Sequence, residues 1–304
     1  MGKEKGLLLV SSFLPVSLVL LFLFASVGYG SEWSSVSPPS VSSTWALNDA
    51  YFTSSDDGWA VGFDNANHKG VLLHYSGGAW TSISPPSVSF FWQLNDVHFT
   101  SAGEGWAVGR DETNGTGVLL HYSGGIWSSV APLSVSASWG LKSVHCTSAG
   151  EGWAVGYDYT NQKGVLLHYS GGAWSSVLPP SVSSGWRLNS VHFTSAGEGW
   201  AVGVDDANVT GVLLHYSGGA WSSLVSYSVT MNERLNSVHF TSPDQGWVVG
   251  SNYSNVVGTL LHYSGEAPPS TGANTNIIAI FACFSISSGL FILRNTHTKL
   301  RETL

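Results

Sequence analysis

Charge is what this chain has least of. Asp, Glu, Lys and Arg make up 10% of its 304 residues, and 11 basic against 19 acidic residues leave a formal net charge of -8 at pH 7. Binding nucleic acid needs a basic stripe that neutralises phosphates. The basic residues between Trp33 and Glu266 (Lys69, Arg110, Lys142, Lys163, Arg187 and Arg234) are too few and too scattered to supply one. Cysteine is scarcer still. Cys146 and Cys283 are the only two, which excludes a disulfide framework and a thiolate metal cluster. Disorder is excluded from the other side, because 43% hydrophobic and 12% aromatic residues bury too much apolar surface for a solvated coil. What is abundant is Gly, Ser, Val and Trp, the composition of short strands joined by tight turns.

Those residues recur on a fixed period. Trp59, Trp106, Trp153, Trp200 and Trp247 stand 47 residues apart, and so do His74, His121, His168, His215 and His262. A regular period of this length is the signature of a repeat architecture. Within one copy, Leu94–Thr100 alternates apolar and polar, Gly105–Gly109 and Val118–Tyr122 are short apolar runs, and Ile126–Val130 is a fourth. Four strands per repeat follow. SAGEG and SGG read as hairpin turns, DETNGT as a longer polar loop, and APLSVSASW as a linker to the next copy.

Four antiparallel strands repeated about every 40 to 50 residues make the blade of a β-propeller. The expected fold is therefore all-β, a five-bladed β-propeller of five 47-residue four-stranded repeats over 31–266. Trp33 aligns with the fourth-strand tryptophans Trp80, Trp127, Trp174 and Trp221, but it precedes the first full copy. The fifth copy stops at HYSGE, with Pro268 at the aligned position. The N-terminal strand at Trp33 is thus expected to complete the last blade and close the ring, removing the exposed edges.

The long apolar runs lie at the two ends. Residues 1–30, with Lys3 and Lys5 before an apolar core and small residues after it, have the layout of a secretory signal peptide. Residues 277–293 are apolar and at 1.5 Å per residue cover about 25 Å, enough for a transmembrane anchor, with 294–304 as a basic cytoplasmic tail. The linker 267–276 between body and anchor carries Pro269, Ser270, Thr271 and Gly272. With the apolar and basic segments that follow, it resembles the LPxTG-type sorting signal of Gram-positive surface proteins, with Pro268 where that signal has Leu. The expected place is outside the cell, anchored to membrane or wall.

GWAVG, then GVLLHYSGG, then a tryptophan strand resembles the propeller repeats of the BNR/Asp-box type and of the Ycf48-like (photosystem II assembly factor-like) group. Here Ser76, Ser123, Ser170 and Ser217 stand where those families carry the Asp of the box. The resemblance covers most of the chain. It implies a propeller with the first strand of each blade innermost, and functions of binding, assembly or, in some members, glycoside hydrolysis.

Two series stand out on the face that carries the inter-blade linkers and second-to-third-strand loops. Trp45, Trp92, Trp139 and Trp186 each precede a first strand. Asp64, Asp111, Asp158 and Asp205 are each followed three residues on by Asn67, Asn114, Asn161 and Asn208, with Asn255 in the fifth copy. Aromatic faces beside Asp and Asn groups suit recognition of a neutral sugar. Asp-x-x-Asn equally suits a turn that bonds its own backbone, and the tryptophans could plug adjacent blades. Asn114, Asn208 and Asn252 head glycosylation sequons on the same face. A further series, His98, His145, His192 and His239 with Tyr51, lies on the first strands. The tyrosine breaks it as a metal ring, so packing is the reading preferred, and no metal or cofactor is expected.

The function expected is a non-enzymatic surface propeller binding glycans or a protein partner. A sialidase-like hydrolase and a Ycf48-like assembly or scaffold factor are the alternatives. The former needs an arginine cluster, but of Arg110, Arg187 and Arg234 only the last two share a repeat position.

Overall fold

Each repeat opens on a ten-residue strand whose period-2 pattern buries one face, as in Trp92, Leu94, Val97 and Phe99 of WQLNDVHFTS. The computed structural model describes residues 33–224, 232–252, 254, 257–265 and the backbone of 280–282. Its strands fall into five four-stranded antiparallel sheets, each a meander in sequence order. Blade 1 comprises β1 (Trp45–Ser54), β2 (Asp57–Asp64), β3 (Lys69–Ser76) and β4 (Ala79–Ile83). Blade 2 comprises β5 (Trp92–Ser101), β6 (Glu104–Asp111), β7 (Thr116–Ser123) and β8 (Ile126–Val130). Blade 3 runs through β9 (Trp139–Ser148), β10 (Glu151–Asp158), β11 (Lys163–Ser170) and β12 (Ala173–Val177). Blade 4 runs through β13 (Trp186–Ser195), β14 (Glu198–Asp205), β15 (Thr210–Ser217) and β16 (Ala220–Ser223). Blade 5 has β17 (Glu233–Ser242), β18 (Gln245–Asn252), β19 (Val257–Ser264) and β20 (Ile280–Ala282). No helix occurs among the described residues, and the architecture is the all-β, five-bladed propeller expected of the repeat.

The turn chemistry is local. In each SGG turn of the first four blades both glycines are left-handed, as at Gly77 (φ 60°) and Gly78 (φ 85°), the geometry a two-residue hairpin needs to match strand twist. The first strand of the blade carries a bulge. In β5 the pairing with β6 jumps from Leu94 to Asp96, skipping Asn95. The skipped residue turns toward the next blade, where Asn95 Nδ2 donates to Leu141 O at 2.6 Å. Asn48 and Asn189 do the same to Leu94 O and Leu235 O. Lys142 stands at the equivalent place in β9 and cannot repeat this short reach.

The core lies between blades rather than within them. Trp59 of β2 packs on Phe99 and Trp127 of blade 2, and Trp153 of β10 packs on Phe193 and Trp221 of blade 4. Trp106, opposite Cys146, leans instead on Tyr169 and Trp174. The histidines of VLLHY close the other side of these rings: His74, His121, His168 and His215 stack on Trp59, Trp106, Trp153 and Trp200 at 4.0–4.2 Å. Their Nε2 atoms meet Asp57, Glu104, Glu151 and Glu198 respectively. Both series are therefore packing residues, as expected.

The expected closure through Trp33 is corrected. The described stretch 33–37 has no strand, and Trp33 is fully exposed (105%). The strand beside β19 is β20, with Ile280–Ala282 opposite Leu261–Tyr263. The signal-peptide segment 1–30 and the PxTG-like linker with Pro269, Thr271 and Gly272 lie outside the described residues, as do 277–293 apart from Ile280–Ala282. Among the described residues no helix is long and apolar enough to cross a membrane.

Candidate functional site

The Asp-x-x-Asn loops close on themselves. Asp111 Oδ1 accepts from Thr113 N and Asn114 N, both at 3.0 Å, and from Ser89 Oγ at 2.7 Å, while Oδ2 accepts from Asn114 Nδ2 at 2.8 Å. Asp64 with Ser42 and Asn67, Asp158 with Ser136 and Asn161, and Asp205 with Ser183 and Asn208 repeat the pattern. All four carboxylates are buried. Burial alone would raise the Asp64 and Asp158 carboxyls, but these hydrogen bonds outweigh it and hold both below the usual carboxylate range. In blade 5 Asn252 replaces the aspartate and Oδ1 accepts from Ser254 N, while Asn255 lies outside the described residues.

The tryptophan series belongs to the same joint. Trp92, Trp139 and Trp186 are 2%, 0% and 2% exposed. Their rings lie flat on glycines of the preceding blade: a Cβ added to Gly70, Gly117 or Gly164 would come within 2.3 Å of Trp92, Trp139 or Trp186. Their backbone nitrogens donate to His68 O, Gly115 O and Gln162 O, at the left-handed ends of those loops. Trp45, which follows no blade among the described residues, is half-buried. The two series are brought together, yet the three buried tryptophans turn no ring face to solvent. The polar atoms of Asp111 and its equivalents are already engaged. The sequon residues Asn114 and Asn208 are exposed, but each commits its Nδ2 to an aspartate.

What this lattice displays is a band of residues that differ from copy to copy. Phe90 is 76% exposed beside His68, which also meets Phe91 at 5.2 Å, and Phe91 stacks on Phe63 at 5.7 Å. On the neighbouring blades Arg110 pairs with Glu112 at 2.9 Å and lies 3.8 Å over the Tyr159 ring, which packs on Tyr157 at 4.6 Å. Burial first, then the nearby Asp206 carboxylate, raise the Tyr157 phenol. Asp206 in turn pairs with Arg187 at 2.6 Å. The band thus runs unbroken from blade 2 into blade 4, and reasoning from the constant positions missed it. The signal was available as the positions 63, 110, 157 and 204, which read Phe, Arg, Tyr and Val beside an unchanging aspartate.

The histidines of the first strands line the axis. Tyr51, His98, His145, His192 and His239 follow one another at ring separations of 4.6, 4.3, 4.5 and 4.7 Å. A cleft of about 540 Å³ at the other mouth is lined by Tyr51, His98, His145, Thr100, Ser148 and Phe193, among others. Burial lowers His98 and His192 to about 4 and His145, further opposed by its histidine neighbours, to about 2. Burial and then the adjacent Asp49 hold Asp96 well above the usual carboxylate range. Burial pushes the Cys146 thiol up to about 12, so it is no ready nucleophile. Among the described residues no three His, Cys, Asp or Glu side chains converge as a metal set.

Comparison with known proteins adds the following. No family model matches the chain, and no curated protein matches it. Among solved structures, YCF48 bound to a D1 peptide is similar over 75% of this chain and 99% of that one, at 17% identity and a TM-score of 0.33. A puromycin-hydrolyzing peptidase of Mycobacterium tuberculosis (72% of this chain, 11% identity, TM-score 0.48) and an acylaminoacyl peptidase in complex with Z-Gly-Gly-Phe-chloromethyl ketone (73%, 10% identity, TM-score 0.44) are also similar. The chain spans 36% and 38% of the length of these two peptidases. The class its sheets define is a β-propeller.

Proposed function

We propose that this chain is a non-enzymatic, exported binding propeller that holds a protein segment across the loop face of blades 1 to 4. The observation that carries this reading is the band just described, where aromatic rings and both signs of charge vary beside Asp-x-x-Asn loops whose carboxylates are already engaged. Rings with paired charges suit a peptide, whose side chains and amides supply apolar, charged and hydrogen-bonding groups at once. A neutral glycan would instead want flat exposed ring faces, and Trp92, Trp139 and Trp186 are not available for that. Arg110 and Arg187 are each held by a carboxylate of their own blade rather than turned on one substrate group, which speaks against sialidase chemistry.

The test is a displayed random-peptide library and a glycan array, each probed with the wild-type chain, with Phe90→Ala/Arg110→Ala, and with the opposite-face control Ser101→Ala. Peptide ligands that lose at least tenfold in affinity with the double variant alone are expected, since two such side chains each contribute about 1–2 kcal/mol at an interface centre. Glycan binding that survives the double variant, or peptide binding indifferent to it, sinks the proposal.

A further inference from the structure

Blades 1 and 5 each keep one face uncovered, and those faces are the two halves of a joint the chain makes four times. In blade 2 the rings of Phe99, Tyr122 and Trp127 form a cage, mutually 5.5, 5.7 and 5.2 Å apart. Trp59 of blade 1 fills it, at 5.7, 4.9 and 5.3 Å from the three. Blade 4 receives Trp153 in the same way, and in blade 5 Trp200 meets Phe240 and Tyr263. Blade 1 has the cage already assembled from Phe52, Tyr75 and Trp80, at 5.6, 5.7 and 5.3 Å. Among the described residues no tryptophan enters it, and Phe52 is 47% exposed. At the other end Trp247, stacked on His262 as its four counterparts stack on theirs, is 40% exposed where they are 2–3%.

The rest of each half is in place as well. Val249 and Leu260 beside Trp247, and Leu47 beside Phe52, are exposed although their equivalents in the inner blades are buried. Asn236, whose counterparts reach a leucine carbonyl on the following blade, is exposed and makes no such bond among the described residues. Repeat arrays that end in water carry polar end faces. Here both ends are apolar and mutually complementary.

We propose that these faces mate between copies: Trp247 of one chain enters the Phe52–Tyr75–Trp80 cage of a second copy, and Asn236 reaches its Leu47 carbonyl, in a head-to-tail association. Closure within one chain is disfavoured by the joints already made. Each neighbouring pair along the axial arc is in ring contact, but Tyr51 and His239, its two ends, are not among the pairs that meet. Bringing them together would re-bend four close-packed joints at once. A second copy adds a fifth joint at the geometry of the other four. Such an interface presents different patches on the two partners, so association does not stop at two unless the ring closes. With a net charge of -8 on each copy, the approach is opposed at low ionic strength and eased by salt.

The experiment is sedimentation equilibrium of the full chain in density-matched detergent, across protein concentration and at low and high salt. The expected result is a mass that rises with concentration, more steeply at high salt. Trp247→Glu spoils one half of the joint and Phe52→Glu the other, so each variant alone is expected to stay monomeric. An equimolar mixture keeps one intact pair of faces and is expected to double in mass. Should Phe52→Glu lose its near-ultraviolet dichroism, Leu47→Glu on the same face replaces it. A wild type that stays monomeric throughout, or a mixture that forms no dimer, overturns the proposal.

Discussion

At the residue scale the repeat is held by places where nothing larger than hydrogen fits. Gly109 pairs with Leu94 beside the bulge, and a Cβ there would stand 1.9 Å from Gln93 O and 2.9 Å from Leu94 Cα, both backbone atoms that cannot swing aside. Gly103 in the SAGEG turn meets nothing within 4 Å and has no left-handed φ. Gly109→Ala is therefore expected to lower stability by about 2–4 kcal/mol, the range of a backbone clash in a packed core. Gly103→Ala should be silent. Urea denaturation of the two variants side by side checks this, and equal midpoints would mean that the bulge yields more easily than its packing suggests. The same economy explains why residue type alone leaves the candidate site residues undecided. Aspartate and asparagine spaced three apart serve a ligand or their own loop equally well on paper. Only the count of donors around Asp111 shows that the loop has taken them all.

At the scale of the strand, the period-2 pattern of Leu94–Ser101 and the glycine turns made the four-stranded blade legible before any coordinates, because these are local rules of backbone and side-chain direction. Which face of Trp92 would be covered was not legible, since its cover is the backbone of Gly70 in the preceding blade. The axial histidines lie between these cases. Their shared face followed from alternation, and their packing environment gives them a pH signature. His98, His145 and His192 have folded pKa values below that of an unfolded histidine. Between about pH 6.5 and 4 the unfolded chain therefore binds protons that the folded arc refuses, and stability falls as pH falls through that window. Asp96, raised in the folded state, pulls the other way, its contribution being lost as pH rises through its folded value. The informative comparison is thus wild type against His145→Gln. The variant is expected to lose up to one proton from the slope, about 1.4 kcal/mol per pH unit. Unfolding free energies measured from pH 7 to pH 5 provide the check, and parallel slopes would show that His145 already takes up its proton in the native state.

On the scale of the whole molecule, the count of blades was legible in the 47-residue period, but the state of the ends was not. The period describes what each blade does for the next and is silent on the first and the last. Trp33 looked like the missing strand because it matches Trp80 and its equivalents in sequence, yet residues 33–37 carry no strand and β20 stands beside β19. A body built from four equal nearest-neighbour joints also makes a prediction that a body dependent on closure does not. Excising residues 139–185 removes blade 3 with its trailing linker and brings Trp186 to follow Ser138. Asn95 would then meet Leu188 O instead of Leu141 O, Asp96 would meet Val191 N instead of Val144 N, and Trp106 would gain a Phe193 ring where it now faces Cys146. Each of these three contacts has its counterpart at another joint of the chain, so stability should fall by roughly the share of one joint and one blade rather than vanish. The shortened chain is expected to keep its near-ultraviolet tryptophan dichroism and a cooperative melt at a lower temperature. Loss of both would mean that the five blades stand or fall as a ring.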